Sequence, residues 1–309
     1  MTDTHAGYAA LLGRPNVGKS TLLNRLIGQK ISITAPKPQT TRHVILGIQT
    51  LSEAQIVYVD TPGLHRQGRR AMNRYLNRSA ASVLGYVDVV VFLIEALRWT
   101  EEDEDVLQRL TEFAGPVVLA VNKVDRIADK QRLLPFLQEI AGKRSFVEVV
   151  PMAAINGDNV AALEQAIVGL LPQQEFLFPP DQITTSSERF LAAELIREKL
   201  TRLLREELPY ALTVEIEHFV EEGRLTRIYA VIWVERASQK GIVIGDKGAT
   251  LREVGRQARQ DLERLLDRKV YLETWVKVRE GWSDDERALQ SLGYAEAGIG
   301  NRPLPTADH

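Results

Sequence analysis

Residues 13–20 (GRPNVGKS) constrain the fold more than any other feature of this chain. They follow a short apolar segment, residues 8–12, and precede a helical pattern over residues 19–27. A glycine-rich turn between a strand and a helix surrounds a phosphate with backbone N–H groups and adds the positive end of the helix. A chance glycine turn is the alternative, but it rarely reproduces the full G-x-x-x-x-G-K-S spacing in this context. The motif therefore predicts an α/β domain that binds a nucleotide.

The length and composition fit an ordinary globular protein with two domains. The chain has 309 residues, of which 44% are hydrophobic and 26% are charged. A formal net charge of −2 excludes a uniformly basic coat, so any nucleic-acid site must be a local patch. The absence of cysteine excludes disulfides and Cys-ligated zinc. With no signal-peptide pattern and no apolar run near the roughly 20 residues of a membrane span, we expect a cytoplasmic protein.

The two halves of the chain differ in the pattern of their apolar residues. In the first half, apolar runs alternate with helical patterns, which predicts a doubly wound, mostly parallel sheet. Its predicted strands are residues 8–12, 45–50, 55–60, 87–94, 116–122 and 146–152. The second half predicts the order α-β-β-α-α-β, an α+β arrangement typical of a KH domain of type II. Its longer elements are residues 187–206, 211–219, 224–235, 249–266 and 269–278, and a capping box of Ser283 and Glu286 predicts a closing helix.

Two further motifs indicate which nucleotide is bound. Asp60-Thr61-Pro62-Gly63 follows a predicted strand at the carboxyl edge of the sheet, where doubly wound folds bind ligands. Residues 122–125 (NKVD) follow another strand. The carboxylate of Asp125 can accept hydrogen bonds from N1–H and the N2 amine of guanine, which adenine does not offer. Each of these two motifs alone is also found as an ordinary turn or strand end. The phosphate loop followed by both motifs in this order predicts GTP rather than ATP.

The predicted roles divide between phosphate, Mg²⁺ and base. Lys19 is expected to reach the β- and γ-phosphates, and the Ser20 hydroxyl to ligate Mg²⁺. Asp60 is expected to hold Mg²⁺ through water, while the Gly63 N–H meets the γ-phosphate. The full set predicted to bind GTP or GDP is Gly13, Arg14, Pro15, Asn16, Val17, Gly18, Lys19, Ser20, Thr21, Asp60, Thr61, Pro62, Gly63, Asn122, Lys123, Asp125, Ala153 and Ala154.

Two parts of this site are less specified by the sequence. Thr40 or Thr41 lies in the loop after the first helix, where a switch segment is expected, and one of them completes the Mg²⁺ shell. We favour Thr41, so the predicted metal ligands are Ser20, Thr41 and Asp60. Ala153 replaces the serine that is usual in a guanine-contact loop, which leaves backbone contacts from Ala153 or Ala154.

A second glycine motif, residues 245–248 (GDKG), predicts an RNA-binding turn. Glycines allow the backbone to approach phosphates, and the following arginines share one helix face. The predicted RNA-binding residues are Lys240, Gly245, Asp246, Lys247, Gly248, Arg252, Arg256 and Arg259. A helix-joining turn with a solvated arginine face is the alternative, and the charge of Asp246 is unfavourable for phosphate. Trp233 and Trp275 lie within strands and are expected in the core.

With these motifs, the chain resembles the Era family of ribosome-assembly GTPases over essentially its full length. The matching stretches are residues 13–20, 38–42, 60–65, 122–125, 239–248, 270–278 and 281–287. The resemblance implies hydrolysis of GTP to GDP and phosphate, binding to the 3′ region of small-subunit (16S) rRNA, and assistance in assembling the 30S subunit. It also implies peripheral association with the cytoplasmic face of the inner membrane, for which the sequence carries no physical signal. We expect a monomer.

One position departs from the Ras pattern and bears on catalysis. Leu64 stands where Ras has its water-orienting glutamine, and the resemblance places the chain among GTPases with a hydrophobic residue there. Our hypothesis is that Asn16 and the switch segment hold a K⁺ ion that takes up charge during hydrolysis. His65 is either a base or a solvated loop residue. The predicted catalytic set is Lys19, Thr41, Gly63 and Asn16.

The predicted organisation is a P-loop GTPase domain (1–173), a linker (174–184), a KH domain (185–281) and a C-terminal helix and tail (282–309). One alternative is a signalling GTPase, linked to membranes or cell division, whose C-terminal domain binds protein. It predicts hydrolysis that does not respond to RNA. Another is an RNA-binding scaffold in which the nucleotide is structural. A tRNA-modifying GTPase is disfavoured because nothing resembles a second catalytic site.

Overall fold

A six-stranded sheet forms the first half of the protein. The computed structural model describes residues 4–63, 71–205 and 208–294. The strands are His5–Leu12 (β1), Ile45–Thr50 (β2), Ala54–Asp60 (β3), Val89–Glu95 (β4), Val117–Asn122 (β5) and Glu148–Pro151 (β6). Their spatial order is β2-β3-β1-β4-β5-β6, with β2 antiparallel to β3 and the other pairs parallel. The predicted doubly wound, mostly parallel sheet is confirmed.

Helices cover both faces of this sheet. They are Lys19–Ile27 (α1), Ala71–Ser82 (α2), Glu101–Arg109 (α3), Leu133–Ala141 (α4) and Val160–Val168 (α5). Alternate residues of β1 enter different cores: Ala9 and Leu11 pack with α1 and α5, whereas Ala10 and Leu12 pack with α2, α3 and α4. Burial on both faces explains why strands such as β4 (VVVFLIE) are apolar almost throughout.

The segment after α5 runs along the first sheet. The Gln55 side chain accepts hydrogen bonds from the N–H groups of Leu177 (2.8 Å) and Phe178 (2.9 Å). Farther on, the N–H of Ile48 in β2 donates to the carbonyl of Ile183 at 2.8 Å. Residues 174–184, which were predicted as a linker, therefore bind to the first sheet through hydrogen bonds.

The second half contains a three-stranded sheet. Its elements are Glu188–Leu203 (α6), Leu212–Glu222 (β7), Leu225–Val234 (β8), Ala237–Ile244 (α7), Ala249–Leu266 (α8) and Lys269–Val278 (β9). The strand order is β7-β8-β9, with β7 antiparallel and β9 parallel to β8. Helices α6 and α8 pack on one face of this sheet and form its apolar core. The predicted α-β-β-α-α-β order is confirmed.

The opposite face of this sheet carries aromatic side chains. Trp275 is 38% exposed and stacks on Tyr229, with ring centroids 6.0 Å apart. Trp233 is partly buried, and its indole N–H donates to Glu215 at 2.8 Å. The prediction that both tryptophans lie in the core was wrong, because strand alternation directs both to the face that α6 and α8 do not cover.

The last described helix is Glu286–Ser291 (α9), and its cap differs from the prediction. Asp285 caps it by accepting hydrogen bonds from two N–H groups at 2.8 and 3.0 Å. The predicted capping box of Ser283 and Glu286 was wrong, because Ser283 lies in a preceding 3₁₀ turn and its hydroxyl donates to Glu235. Predictions for Leu64, His65 and the chain after Tyr294 lie outside the described residues. Within the described ranges, no helix is both long and apolar enough to cross a bilayer.

Candidate functional site

The loop between β1 and α1 is closely packed at its glycines. Gly18 has φ of 112°, and a Cβ there would lie 2.2 Å from Nδ2 of Asn122. A Cβ at Gly13 would lie 2.4 Å from the carbonyl oxygen of Leu93 in β4. Neither distance is compatible with a side chain unless the neighbouring structure moves. Packing against β4 and β5 therefore requires glycine at both positions.

Lys19 is the charged residue inside this loop. Its Nζ donates to the main-chain oxygens of Gly13 at 2.8 Å and Arg14 at 3.0 Å. The side chain is 6% exposed, and burial lowers its pKa to about 8. The loop thus holds a lysine whose positive charge is poorly solvated, which is favourable for binding an anion.

The outer side of the loop is fixed by ion pairs. Arg14 is 5% exposed and binds Glu95 at 2.9 Å and Asp103 at 3.1 Å. The Glu95 carboxylate also binds Lys123 at 3.1 Å, and so joins two of the predicted motifs. Burial would raise the pKa of Glu95, but Lys123 and Arg14 outweigh it and hold that pKa below its ordinary value. Sequence reasoning missed Glu95, whose position at the carboxyl end of β4 was the available signal.

Four side chains that carry oxygen converge beside Lys19. The Ser20 hydroxyl donates to Oδ2 of Asp60 at 2.7 Å and lies 2.8 Å from Oγ1 of Thr41. Ser32, which was not predicted, donates to the same Asp60 oxygen at 2.9 Å. Oδ1 of Asp60 is buried and has no hydrogen-bond partner among the described residues, and burial raises the pKa of Asp60. Clustered hard oxygen donors around a desolvated carboxylate fit Mg²⁺.

The two threonines of the loop after α1 face different ways. The Thr40 hydroxyl donates to the carbonyl of Lys37 at 2.6 Å, within its own loop. Only Thr41 directs its hydroxyl toward Ser20. At the end of β3, Gly63 is packed so tightly that a Cβ would lie 2.9 Å from the Pro15 ring. The geometry thus favours Thr41 and brings the second motif against the phosphate loop.

Asn122 connects the base-recognition motif to its neighbours. Its amide donates to the Val17 carbonyl at 2.8 Å and accepts from the Ala154 N–H at 2.9 Å. The Ala153 N–H donates to the carbonyl of Asp158 at 3.0 Å. Both alanine N–H groups are thus engaged within the protein, and their predicted contact with guanine stays a prediction.

A cavity of about 770 Å³ lies between the phosphate loop and the loop after α1. Many of the predicted residues line it, namely Arg14, Pro15, Asn16, Gly18, Lys19, Ser20, Thr21, Thr41, Gly63 and Lys123. Val17, Asp60, Thr61, Pro62, Asn122, Ala153 and Ala154 are buried in the surrounding structure, and Asp125 is exposed. The volume matches the range of small-molecule sites.

The second glycine motif lies between α7 and α8. Gly245, Lys247 and Gly248 all have positive φ, of 74°, 46° and 79°. A Cβ at Gly248 would meet nothing within 4 Å, and Asp246 and Lys247 are exposed. A Cβ at Gly245 would lie 2.2 Å from Oγ1 of Thr250. The turn is therefore closely packed on α8 at Gly245 and open to solvent at Lys247 and Gly248.

The arginines of α8 follow the predicted face, but two of them are paired. Arg256 binds Glu253 at 2.6 Å, and Arg259 binds Glu263 at 3.1 Å. Arg252 donates to the Lys247 carbonyl at 3.4 Å. Lys240, on α7, is exposed. The prediction did not include the two glutamates, which reduce the positive charge that the helix offers.

The mostly parallel sheet with its phosphate loop, and the second sheet with its glycine turn, define a P-loop GTPase domain followed by a KH domain. Residues 8–123 match the family described as 50S ribosome-binding GTPase, and residues 207–283 match the KH domain family. GTPase Era of Azotobacter vinelandii is 56% identical over 300 residues, covering 96% of this chain and all of the relative. GTPase Era of Pseudomonas aeruginosa is 55% identical over 304 residues, with the same coverage. The chain belongs to the Era family and is a GTPase.

Solved structures show the same fold. A variant of Era from Aquifex aeolicus bound to GDP and AlF4⁻ is 40% identical with a TM-score of 0.90, covering 94% of this chain and all of that one. A complex of Era with MgGDPNP and nucleotides 1506–1542 of 16S ribosomal RNA is also 40% identical, with a TM-score of 0.91 and coverage of 94% and 99%. The predicted class of fold and the predicted family are both confirmed.

Proposed function

We propose that this GTPase is a molecular switch that binds the 3′ region of small-subunit rRNA and assists assembly of the 30S subunit. The observation that carries this proposal is the glycine turn of the KH domain, which is open at Gly248 and exposes the side chain of Lys247. A relative with 40% identity and the same two-domain fold has a structure with nucleotides 1506–1542 of 16S rRNA. The shared fold supports the same class of RNA as the partner of this chain.

The roles proposed for the nucleotide site follow from its geometry. Lys19 contacts the β- and γ-phosphates from within the loop, and Ser20, Thr41 and Asp60 hold Mg²⁺, which neutralises phosphate charge when bound. The N–H of Gly63 meets the γ-phosphate. Asp125 recognises guanine, as predicted from the sequence. The packed phosphate loop keeps the phosphate chain in one orientation.

Potassium is a further part of the proposed chemistry. Asn16 is exposed and lines the wall of the cavity, where a side-chain amide supplies a neutral oxygen donor. Neutral oxygen donors suit a hard cation. We expect Asn16→Ala to reduce the stimulation of hydrolysis by K⁺ relative to Na⁺. Hydrolysis by this variant that stays as K⁺-sensitive as wild type contradicts the role of Asn16.

The central test is binding to the 3′-terminal segment of small-subunit rRNA, measured with a GTP analogue, with GDP and without nucleotide. We expect tight binding that depends on the nucleotide. An RNA of scrambled sequence and equal length is the control. Sequence-indifferent binding in every state would contradict the proposal, and hydrolysis that RNA leaves unchanged would favour a signalling GTPase or a scaffold.

A paired variant separates the two sites. Replacing Gly245 and Lys247 with Asp places negative charge in the glycine turn, and we expect RNA binding to be lost while GTP affinity is unchanged. The turn lies outside the nucleotide cavity, which is lined from the first domain, the loop after α1 and Arg202 of α6. A parallel loss of GTP binding would indicate misfolding or a shared site.

A further inference from the structure

The loop that carries Thr41 is attached to the second domain on both sides of that residue. We call residues 30–43 the switch loop. Thr41 itself faces Ser20 and the first domain, whereas its two neighbours, Thr40 and Arg42, bind the second domain. The hydroxyl and the flanking main chain are thus held by different domains.

Arg42 forms the attachment on the C-terminal side of Thr41. Its guanidinium is fully buried and donates to the main-chain oxygens of Leu212 at 2.8 Å, Pro209 at 3.0 Å and Tyr210 at 3.2 Å. These three residues lead into and begin strand β7. A buried guanidinium is costly unless its donors are satisfied. Both terminal nitrogens of Arg42 bind carbonyl oxygens, whereas its Nε has no partner among the described residues, so it is these carbonyls that favour one docked position of the loop.

Arg197 forms the attachment on the N-terminal side. It is 1% exposed on α6, and its Nη2 donates to the main-chain oxygen of Thr40. Glu194 fixes its direction with two hydrogen bonds, at 2.7 and 2.6 Å. Bidentate pairing of this kind orients the guanidinium plane as well as neutralising its charge. The peptide before Thr41 therefore has a rigid partner.

Farther back in the switch loop, Thr34 and Lys37 are also attached to α6, whereas the N–H groups of Ile31 and Ser32 donate to Asn24 of α1 in the first domain. Glu198 accepts from the main-chain N–H of Thr34 at 3.2 Å, and Arg202 donates to the Thr34 carbonyl at 2.9 Å. Lys37 donates to the carbonyl of Thr201 at 2.7 Å. Since the first domain holds Thr41 mainly through its hydroxyl, the second domain supplies much of the main-chain support of this loop.

We infer that Arg42 and Arg197 are positioning residues for GTP hydrolysis, which place Thr41 by holding the main chain on either side of it. This inference rests on the role of Thr41 at Mg²⁺ proposed above. A displacement of the second domain moves the carbonyls that bind Arg42 and the guanidinium that binds Thr40. Either movement takes the Thr41 hydroxyl away from Ser20, and misplacement by about 1 Å can cost a large part of the rate.

The test compares Arg42→Lys, Arg197→Gln and Thr41→Ala in the full-length protein. Lysine keeps the charge of Arg42 but lacks the planar fork that reaches three carbonyls. For both arginine variants we expect kcat to fall about tenfold, or the Mg²⁺ concentration at half-maximal rate to rise by about that factor. Affinity for GDP should stay within about twofold, because switch-loop contacts are made through the γ-phosphate and its metal.

Two controls keep the outcomes distinct. Arg189, also on α6, donates to main-chain oxygens of Ile216 and Glu217 inside its own domain, so Arg189→Gln should leave kcat and the Mg²⁺ dependence unchanged. Glu194→Gln removes the charge and one of the two acceptor oxygens that orient Arg197, and should change kcat and the Mg²⁺ dependence in the same direction. It replaces Arg197→Gln if that variant does not fold.

Each outcome supports or overturns a specific statement. Arginine variants that lose thermal stability but keep kcat and Mg²⁺ dependence would overturn the positioning role. A Thr41→Ala variant with unchanged Mg²⁺ dependence would overturn the role proposed for Thr41 itself. If Thr41→Ala is impaired while Arg42→Lys and Arg197→Gln are not, the proposed function stands and this inference fails.

Discussion

Two glycine turns in this protein each precede a helix, and the two turns differ in how they are packed. Both place a lysine next to glycines of positive φ at the start of a helix, α1 in one case and α8 in the other. In the first turn a Cβ at Gly18 would meet Asn122 of a neighbouring strand at 2.2 Å. In the second, a Cβ at Gly245 would meet Thr250 of the following helix at 2.2 Å, whereas a Cβ at Gly248 would meet open space. Lys19 is buried against carbonyl oxygens, whereas Lys247 is exposed.

The difference follows from what each turn is attached to. The first lies between β1 and α1, beside the ends of β4 and β5, and Arg14 and Asn122 fix it to those strands. The second joins two helices at the surface of the KH domain. A turn held by its neighbours has one shape for one small ligand, whereas an exposed turn can meet a long flexible polymer whose own shape varies.

The largest expected effect comes from adding one methyl group to each turn. Gly18→Ala brings a Cβ against Asn122 at a φ of 112°, and combined clash and strain of about 3 kcal/mol should weaken GTP binding about 100-fold. Gly248→Ala is the matched control, with unchanged GTP affinity and a stability loss of about 1 kcal/mol. Titration calorimetry with GTP measures both. Equal losses of GTP affinity would remove the contrast between the turns.

The second prediction concerns the buried lysine. Burial lowers the pKa of Lys19 to about 8, so above that pH the ligand-free protein must take up a proton to present a positive charge to phosphate. GTP affinity should therefore fall as pH rises from 8 to 9, approaching tenfold per unit. The Lys19→Arg variant is the control. Its guanidinium stays protonated over this pH range, so any pH dependence of its GTP affinity comes from titration of the nucleotide. An equal pH dependence in wild type and Lys19→Arg would contradict the role of this pKa.

A smaller effect is expected from the ion pairs that hold the first turn from outside. Glu95→Gln keeps the shape of the side chain but weakens its bonds to Arg14 and Lys123, and should reduce GTP affinity about threefold to tenfold. Glu104 is the control, because it binds Trp99 and Lys143 outside the cavity. Binding of a fluorescent GTP analogue measures both variants. If Glu104→Gln is as harmful as Glu95→Gln, the effect is one of general surface charge.

The smallest expected effect comes from the exposed lysine of the second turn. Lys247→Gln removes one cation, so RNA affinity should fall a few-fold and the slope of log K against log salt should decrease by about 0.7. Lys277→Gln is the control, because Lys277 lies on β9 and pairs with Glu217 at 2.7 Å. Filter binding over a range of salt concentrations gives both slopes. An unchanged slope for Lys247→Gln would show that the turn does not meet phosphate.

Sequence patterns were sufficient to predict those helices, strands and turns whose conformation depends on residues close by in the chain. The bounds of α1, α8 and β9 were predicted without error, because a glycine turn or an alternating apolar pattern specifies each of them locally. The phosphate loop and the fold class followed in the same way. The cap of α9 was wrong because Asp285 competes with Ser283, whose hydroxyl is used by Glu235, 48 positions earlier in the chain.

Long-range contacts account for most of what the sequence left open. Glu95, the last residue of β4, and Ser32, in the loop after α1, join the nucleotide site from segments that carry no motif. The choice of Thr41 over Thr40 depends on where the hydroxyls point. The exposure of Trp275 depends on which face of its sheet the helices cover.

By itself, the sequence determined two domains, a guanine nucleotide, a phosphate loop and a glycine turn, because these depend on residue types at short, fixed spacings. Only the tertiary structure decided that the switch loop is held by the second domain. Arg42 and Leu212 are 170 positions apart, and Arg197 and Thr40 are 157 apart. The terminal nitrogens of Arg42 bind carbonyl oxygens, which any residue provides, so no pattern in the sequence marks those partners.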